Sequence, residues 1–375
     1  AGLLTLNGHV TVSSSSIARA RIIGPVSLVG TRSFTVDATP NYPGLEVNGE
    51  VRGGGLAKLG AGAMLLSHSN SFTGIAQVRA GRLDVADAFA LGATAGGTVV
   101  SNGAALILRD GTRVSGEPLT LAGAGHQTLG ALASVSGSNS WSGPITLAGD
   151  TVLTATRETD FLDLSGAIDG IGNLTIEGLG TVRFGGAAAN TYRGATRVGS
   201  GALELAKSVD DGSIPGDLVV GDNEGGTDAD VVRYASARPQ ISDRARVTVN
   251  ASGLLDLRPR TGLGIEDVGS IEGKGRIELA LGGLGIGHDN TSTTFAGTIH
   301  GGSMGRLTKH GSGVFTLSGN NPYTGPTVVQ GGTLLVNGSQ PGSPVEVRSG
   351  AVLGGRGAVG GVGSAGILAP GASPG

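Results

Sequence analysis

The chain has 375 residues, with 72 Gly, no Cys, 3% aromatic residues and 26 Lys+Arg against 29 Asp+Glu. Glycine stands at about three times its ordinary share, but there is no G-X-Y period, which excludes collagen, and apolar runs such as Ala104-Ala105-Leu106-Ile107-Leu108 exclude a disordered Gly/Ser linker. Sparse, balanced charge without a basic stripe argues against nucleic acid as a partner, and no apolar run is long enough for a membrane-spanning segment.

Two-residue alternation runs through the chain, and no window shows the apolar stripe of an amphipathic helix. Leu4-Thr5-Leu6 hands over to Val10-Thr11-Val12 across Asn7-Gly8. The same short pattern returns at Ile145-Thr146-Leu147, Leu174-Thr175-Ile176 and Val247-Thr248-Val249. Turn signals punctuate it at Asn48-Gly49, Asn102-Gly103, Asp169-Gly170 and Asn337-Gly338. Runs of three to six residues cannot hold a fold as isolated hairpins. Stacked in register, each bonded to the coil above and below, they can, and that arrangement is a parallel β-helix. Coils of roughly 20–25 residues predict about 15–18 coils, and at ~4.8 Å per coil a rod on the order of 75–85 Å long.

An internal repeat supports this reading, with copies near 55–86, 172–206 and 305–337. Leu56-Ala57-Lys58-Leu59-Gly60-Ala61-Gly62 leads to Asn70-Ser71-Phe72-Thr73-Gly74 and then Gly81-Arg82-Leu83. Leu307-Thr308-Lys309-His310-Gly311-Ser312-Gly313 leads to Asn321-Pro322-Tyr323-Thr324-Gly325 and Gly332-Thr333-Leu334, without a gap between the two copies. The middle copy runs from Leu174-Thr175-Ile176 through Gly178-Leu179-Gly180 to Asn190-Thr191-Tyr192-Arg193-Gly194, with a two-residue insertion and no lysine. The repeat therefore marks Gly62, Phe72, Gly74, Gly180, Tyr192, Gly194, Gly313, Tyr323 and Gly325 as structural positions.

These copies resemble the passenger-associated transport repeat of autotransporters, the proteins of type V secretion. The resemblance implies an all-β chain folded as a right-handed parallel β-helix, a single elongated rod with residues 1–375 as one continuous domain. It also implies display at the bacterial cell surface, after export through the periplasm and outer membrane by a β-barrel of the same precursor. That barrel has no counterpart in this sequence, and Ser373-Pro374-Gly375 reads as a cut within a longer protein. The N-terminus reads as one from which any signal peptide has been removed. Absence of Cys fits passage through a narrow pore, and equally a reducing cytosol.

Site candidates are few. Tyr42, Trp141, Tyr234 and Tyr323 are possible ligand-binding platforms for sugar. Against this, Phe72, Tyr192 and Tyr323 share a repeat position whose N-x-aromatic-x-Gly spacing is turn chemistry, and Trp141 lies in what reads as a Ser/Asn/Gly turn, where packing is the simpler role. The acidic stretch from Gly221 to Asp230 fits no calcium motif and reads as a loop. Asp160, Asp163 and Asp169 carry carboxylates with nothing to set the separation that glycoside hydrolysis needs. His9, His68, His126, His288, His300 and His310 show no local metal spacing, so no metal and no cofactor are expected.

The function expected is a non-catalytic structural or adhesive passenger or stalk. Its partners would be host or bacterial surface glycans, surface proteins or identical chains. The alternative is a carbohydrate-binding module on a polysaccharide-active protein, and a pectinase-like enzyme ranks last.

Overall fold

The computed structural model describes residues 2–13, 19–38, 42–258 and 264–371. Ser373, Pro374 and Gly375 lie outside the described residues. Every regular element among those described is a strand, and all the strand-to-strand ladders are parallel. Among the described residues no helix is long and apolar enough to cross a membrane. The strands stack as a β-solenoid of about 16 turns. They group into two compact units, residues 1–186 with 191–194, and residues 187–190 with 195–375.

In the first unit one ladder carries Leu56 onto Ala76, Ala76 onto Thr98, Thr98 onto Leu119 and Leu119 onto Ile145. A second carries Leu66 onto Val85, Leu108, Ser134 and Ala155 in turn. A third stacks Val114, Trp141, Leu164 and Phe184. In the second unit Val198, Val220, Val249 and Gly273 form one such column, and Glu266, Leu284, Leu307, Thr327 and Val345 another.

Alternation determines what each column buries. Successive side chains in a strand point to opposite faces, so a coil placed in register sets inward residues directly above inward residues. Leu66, Val85, Leu108, Leu164 and Phe184 all reach 0% exposure in this way. Not all strands are short: Ile145–Ala155 runs for 11 residues and serves two columns, pairing with Leu132–Val135 and Leu119–Gly123, the latter with a register shift between Leu121 and Gly123. Such a bulge bends a strand around a corner.

Glycines make room where coils meet. At the second glycine of the G-x-G turn in each repeat copy, an added Cβ would stand 2.1 Å from the Asp37 carbonyl oxygen (Gly62), 2.3 Å from that of Asp160 (Gly180) or 2.3 Å from that of Thr291 (Gly313). Gly74, Gly194 and Gly325 face comparably close backbone.

Candidate functional site

The repeat copies place equivalent side chains on equivalent tasks. Lys58 is fully buried, and its Nζ donates to the carbonyls of Leu59 (2.8 Å), Gly60 (2.8 Å) and Ala80 (3.1 Å). Lys309 is buried likewise and donates to His310, Gly311 and Gly331, the same three positions of its own copy. An ammonium is a suitable cap here because it offers three donors and no acceptor. Burial pulls both lysines down to about 8. Replacing Lys309 by Met keeps an unbranched apolar stem, one atom shorter and without the ammonium, and strands three carbonyls. We expect Lys309→Met to cost about 1–3 kcal/mol, read as a lowered urea midpoint, and a shift under ~0.5 kcal/mol would contradict this role.

The asparagines of the repeat hold turns. Asn70 accepts from the Val51 amide at 2.7 Å and donates to the Ala90 carbonyl. Asn190 donates to Ser213 O at 2.9 Å, and Asn321 accepts from the Ile299 amide at 3.0 Å. Two residues on, Phe72, Tyr192 and Tyr323 are all buried. The Tyr323 hydroxyl meets Thr327 Oγ1, which in turn meets Ser343 Oγ at 2.8 Å.

Three of the four proposed sugar platforms have no face to offer. Trp141 is 0%, Tyr234 1% and Tyr323 0% exposed. Stacking on a sugar requires an open ring face, so as platforms these three are corrected by their packing. Ser138–Trp141 is a strand rather than a turn, and its alternation turns Asn139 and Trp141 inward. The Trp141 Nε1 donates to the Glu117 carbonyl at 2.9 Å. Asp230–Tyr234 likewise sends Asp230, Val232 and Tyr234 inward.

Tyr42 alone of the four is partly open. Its hydroxyl bonds Asp84 and Arg109, and the Arg82 guanidinium lies 3.9 Å from its ring centroid. Asp84 pairs with both guanidiniums, with Arg82 at 3.1 Å and with Arg109 at 3.4 Å. Burial pushes the Asp84 carboxyl up, and the two guanidiniums oppose that push. The Tyr42 phenol is raised by burial and by the neighbouring Asp84 charge. Beside this cluster lies a cleft of about 200 Å³ that also reaches His126 and Gln127. Its polar groups are largely committed to one another, so the cluster ties coils together.

The carboxylates considered for glycoside hydrolysis are not assembled as a pair. Asp160 accepts from the amides of Arg157 and Gly137, which caps a turn. Asp163 faces Arg183 at 4.0 Å, and Asp169 is exposed. In the acidic stretch, Asp222 accepts from the Glu224 amide and Asp228 pairs with Arg276 at 2.7 Å.

One grouping escaped the reading of the sequence. Asp267, His288 and His310 converge so that one ligand atom from each lies within 4.8 Å of the others. The expectation of six scattered histidines is thus corrected for two of them. The signal was present, but as coil spacing: Asp267 and His288 are 21 residues apart and His310 follows one coil later. A search for local motifs cannot see a site written at the period of the solenoid. His310 is held below the usual histidine range by burial and by the neighbouring His288.

Comparison with known proteins bears on the repeat. The passenger-associated-transport-repeat family model matches residues 56–85, 174–205 and 307–336. These three segments are passenger-associated transport repeats. Over 214 residues, 56% of this chain, the sequence is 31% identical to the Adhesin BmaC autotransporter of Brucella suis biovar 1 (strain 1330). The matched region spans 6% of that protein's length. No solved structure matches the chain. The transport repeats coincide with the Lys58 and Lys309 turns and with the Asn70, Asn190 and Asn321 caps, so what defines the repeat in sequence is what closes its coils in space.

Proposed function

We propose that this chain is part of the surface-displayed passenger of an autotransporter adhesin, a scaffold that acts by contact and not by catalysis. The observation that carries this reading is the set of three transport repeats built into the coils. The similarity to an autotransporter adhesin over more than half of the chain supports it. On this reading the precursor supplies an outer-membrane β-barrel, and the chain reaches the outside of the cell. Its partners are surface proteins or glycans of host or bacterial cells, or further copies of itself, engaged through many weak contacts whose avidity grows with number. The carbohydrate-binding alternative would be favoured by exposed aromatics aligned along one face, and Trp141, Tyr234 and Tyr323 are inside the coils.

The test has two arms. Cells making the full precursor, stained with antibody against this chain, should be labelled without permeabilisation and lose the label on brief external proteolysis. Beads coated with the purified chain should be retained on host cells, or aggregate, at least several-fold above albumin-coated beads. Label seen only after permeabilisation would overturn the location, and bead behaviour equal to albumin on every surface would overturn the adhesive role.

A further inference from the structure

We infer that Asp267, His288 and His310 form a binding site for a late first-row divalent cation, Zn²⁺ foremost. The three residues come from three successive parallel coils. Asp267 lies in the strand Glu266–Val268, which pairs with Leu284–Ile286, and that strand pairs with Leu307–Lys309. His288 follows the second of these strands after Gly287, and His310 follows the third directly.

The spacing is that of a metal cage. The His288 Nε2 lies 3.1 Å and the His310 Nε2 3.7 Å from the same oxygen, Asp267 Oδ1. Around tetrahedral zinc with bonds of about 2.0–2.1 Å, ligand atoms stand roughly 3.3 Å apart. The two measured edges bracket that value. The imidazole rings lie side by side, with centroids 4.4 Å apart and planes inclined by 34°.

Two independent features point to an occupant. The His310 Nε2 is buried and has no hydrogen-bond partner, although buried polar atoms are almost always satisfied. The second feature is Gly285, which pairs in register with Asp267. A Cβ on Gly285 would stand 1.9 Å from Asp267 Oδ1 and 3.2 Å from His310 Nε2. Its φ is not in the left-handed region, so the glycine is there for space: it keeps the point between the ligands clear.

Donor chemistry selects the ion. Two imidazoles and one carboxylate suit Zn²⁺, Ni²⁺ or Cu²⁺, whereas Ca²⁺ takes six to eight oxygens. The nearby Lys309 ammonium is engaged with the carbonyls of His310, Gly311 and Gly331. Asp267 and His288 are each 31% exposed and His310 is 22% exposed, so a fourth position opens to water or to a donor from another molecule.

The experiment uses the whole chain, stripped with chelator and titrated with Zn²⁺ by calorimetry, with bound metal counted after dialysis. Substituting Co²⁺ reports the ligand field through its visible absorption. We expect a site lost or weakened at least about tenfold in both His288→Ala and His310→Ala and kept in His300→Ala. Gly285→Ala should also weaken it, by filling the cradle while leaving all three ligands. If His310→Ala fails to fold by circular dichroism, His288→Ala carries the test alone, because that ring is partly exposed. Absence of stoichiometric Zn²⁺ binding to the stripped chain would overturn the inference. So would unchanged affinity in a folded His288→Ala chain, or equal loss in His300→Ala.

Discussion

Trp141→Ala is expected to destabilise the first unit by about 3–5 kcal/mol, the range for removing a large aromatic from a packed core. Trp141 is fully buried, with Val114 and Leu164 in register on either side of it. Truncation empties a full coil's width of core, because a solenoid has no second layer to collapse into the gap. The Glu117 carbonyl also loses its donor, Trp141 Nε1. Trp141→Phe keeps most of the apolar surface and loses the hydrogen bond, so its cost should fall well below that of the alanine variant. Urea unfolding followed by far-ultraviolet circular dichroism checks both. Coils that contact only their neighbours can unfold in parts, so the comparison belongs to the transition that moves. A shift below ~1 kcal/mol for Trp141→Ala would mean that the indole is not structural.

The same region should make stability fall as pH rises. Glu117 is buried, and burial raises its carboxyl from 4.5 to about 7, against a hydrogen bond from Thr98 Oγ1 at 2.8 Å. Between those values the folded chain holds a proton that the unfolded chain has released. The stabilisation is therefore complete below about pH 4.5 and is lost as pH climbs through 7, an effect on the order of 2–3 kcal/mol. Glu117→Gln cannot ionise, and it should remove this slope and be the more stable chain at pH 8. Trp141 is the single tryptophan and bonds the Glu117 backbone, so its fluorescence follows the coil concerned. Parallel pH profiles for the two chains between 4.5 and 7 would refute the assignment.

The architecture was legible because a parallel coil writes itself in period-two alternation and in glycines at turns, both of which are local signals. The individual roles were less so. In Ser138-Asn139-Ser140-Trp141 the residue types look like a turn, and only the neighbouring strands, Arg113–Val114 and Phe161–Leu164, draw the segment into a ladder with Trp141 inward. Tyr234 was read as a sugar platform for the same reason, since alternation shows which residues share a face but not which face is the core. The inward lysines were visible as repeat positions, yet their task depends on carbonyls of Ala80 and Gly331 one coil away. The Asp267, His288 and His310 grouping lies wholly at that longer period.

The in-register ladders have a consequence for how such a chain can change in size. A strand shifted by one residue turns its inward side chains out, so a small deletion within a coil damages every pairing it touches. Removing the segment between two stacked positions, such as Ala76 and Thr98, is a different event. The strand before the cut then finds beneath it another of the same handed pattern, and the core column closes with one member fewer. Length in this molecule is thus quantised: evolution and engineering alike can add or remove whole coils at little cost, whereas fractions of a coil are forbidden.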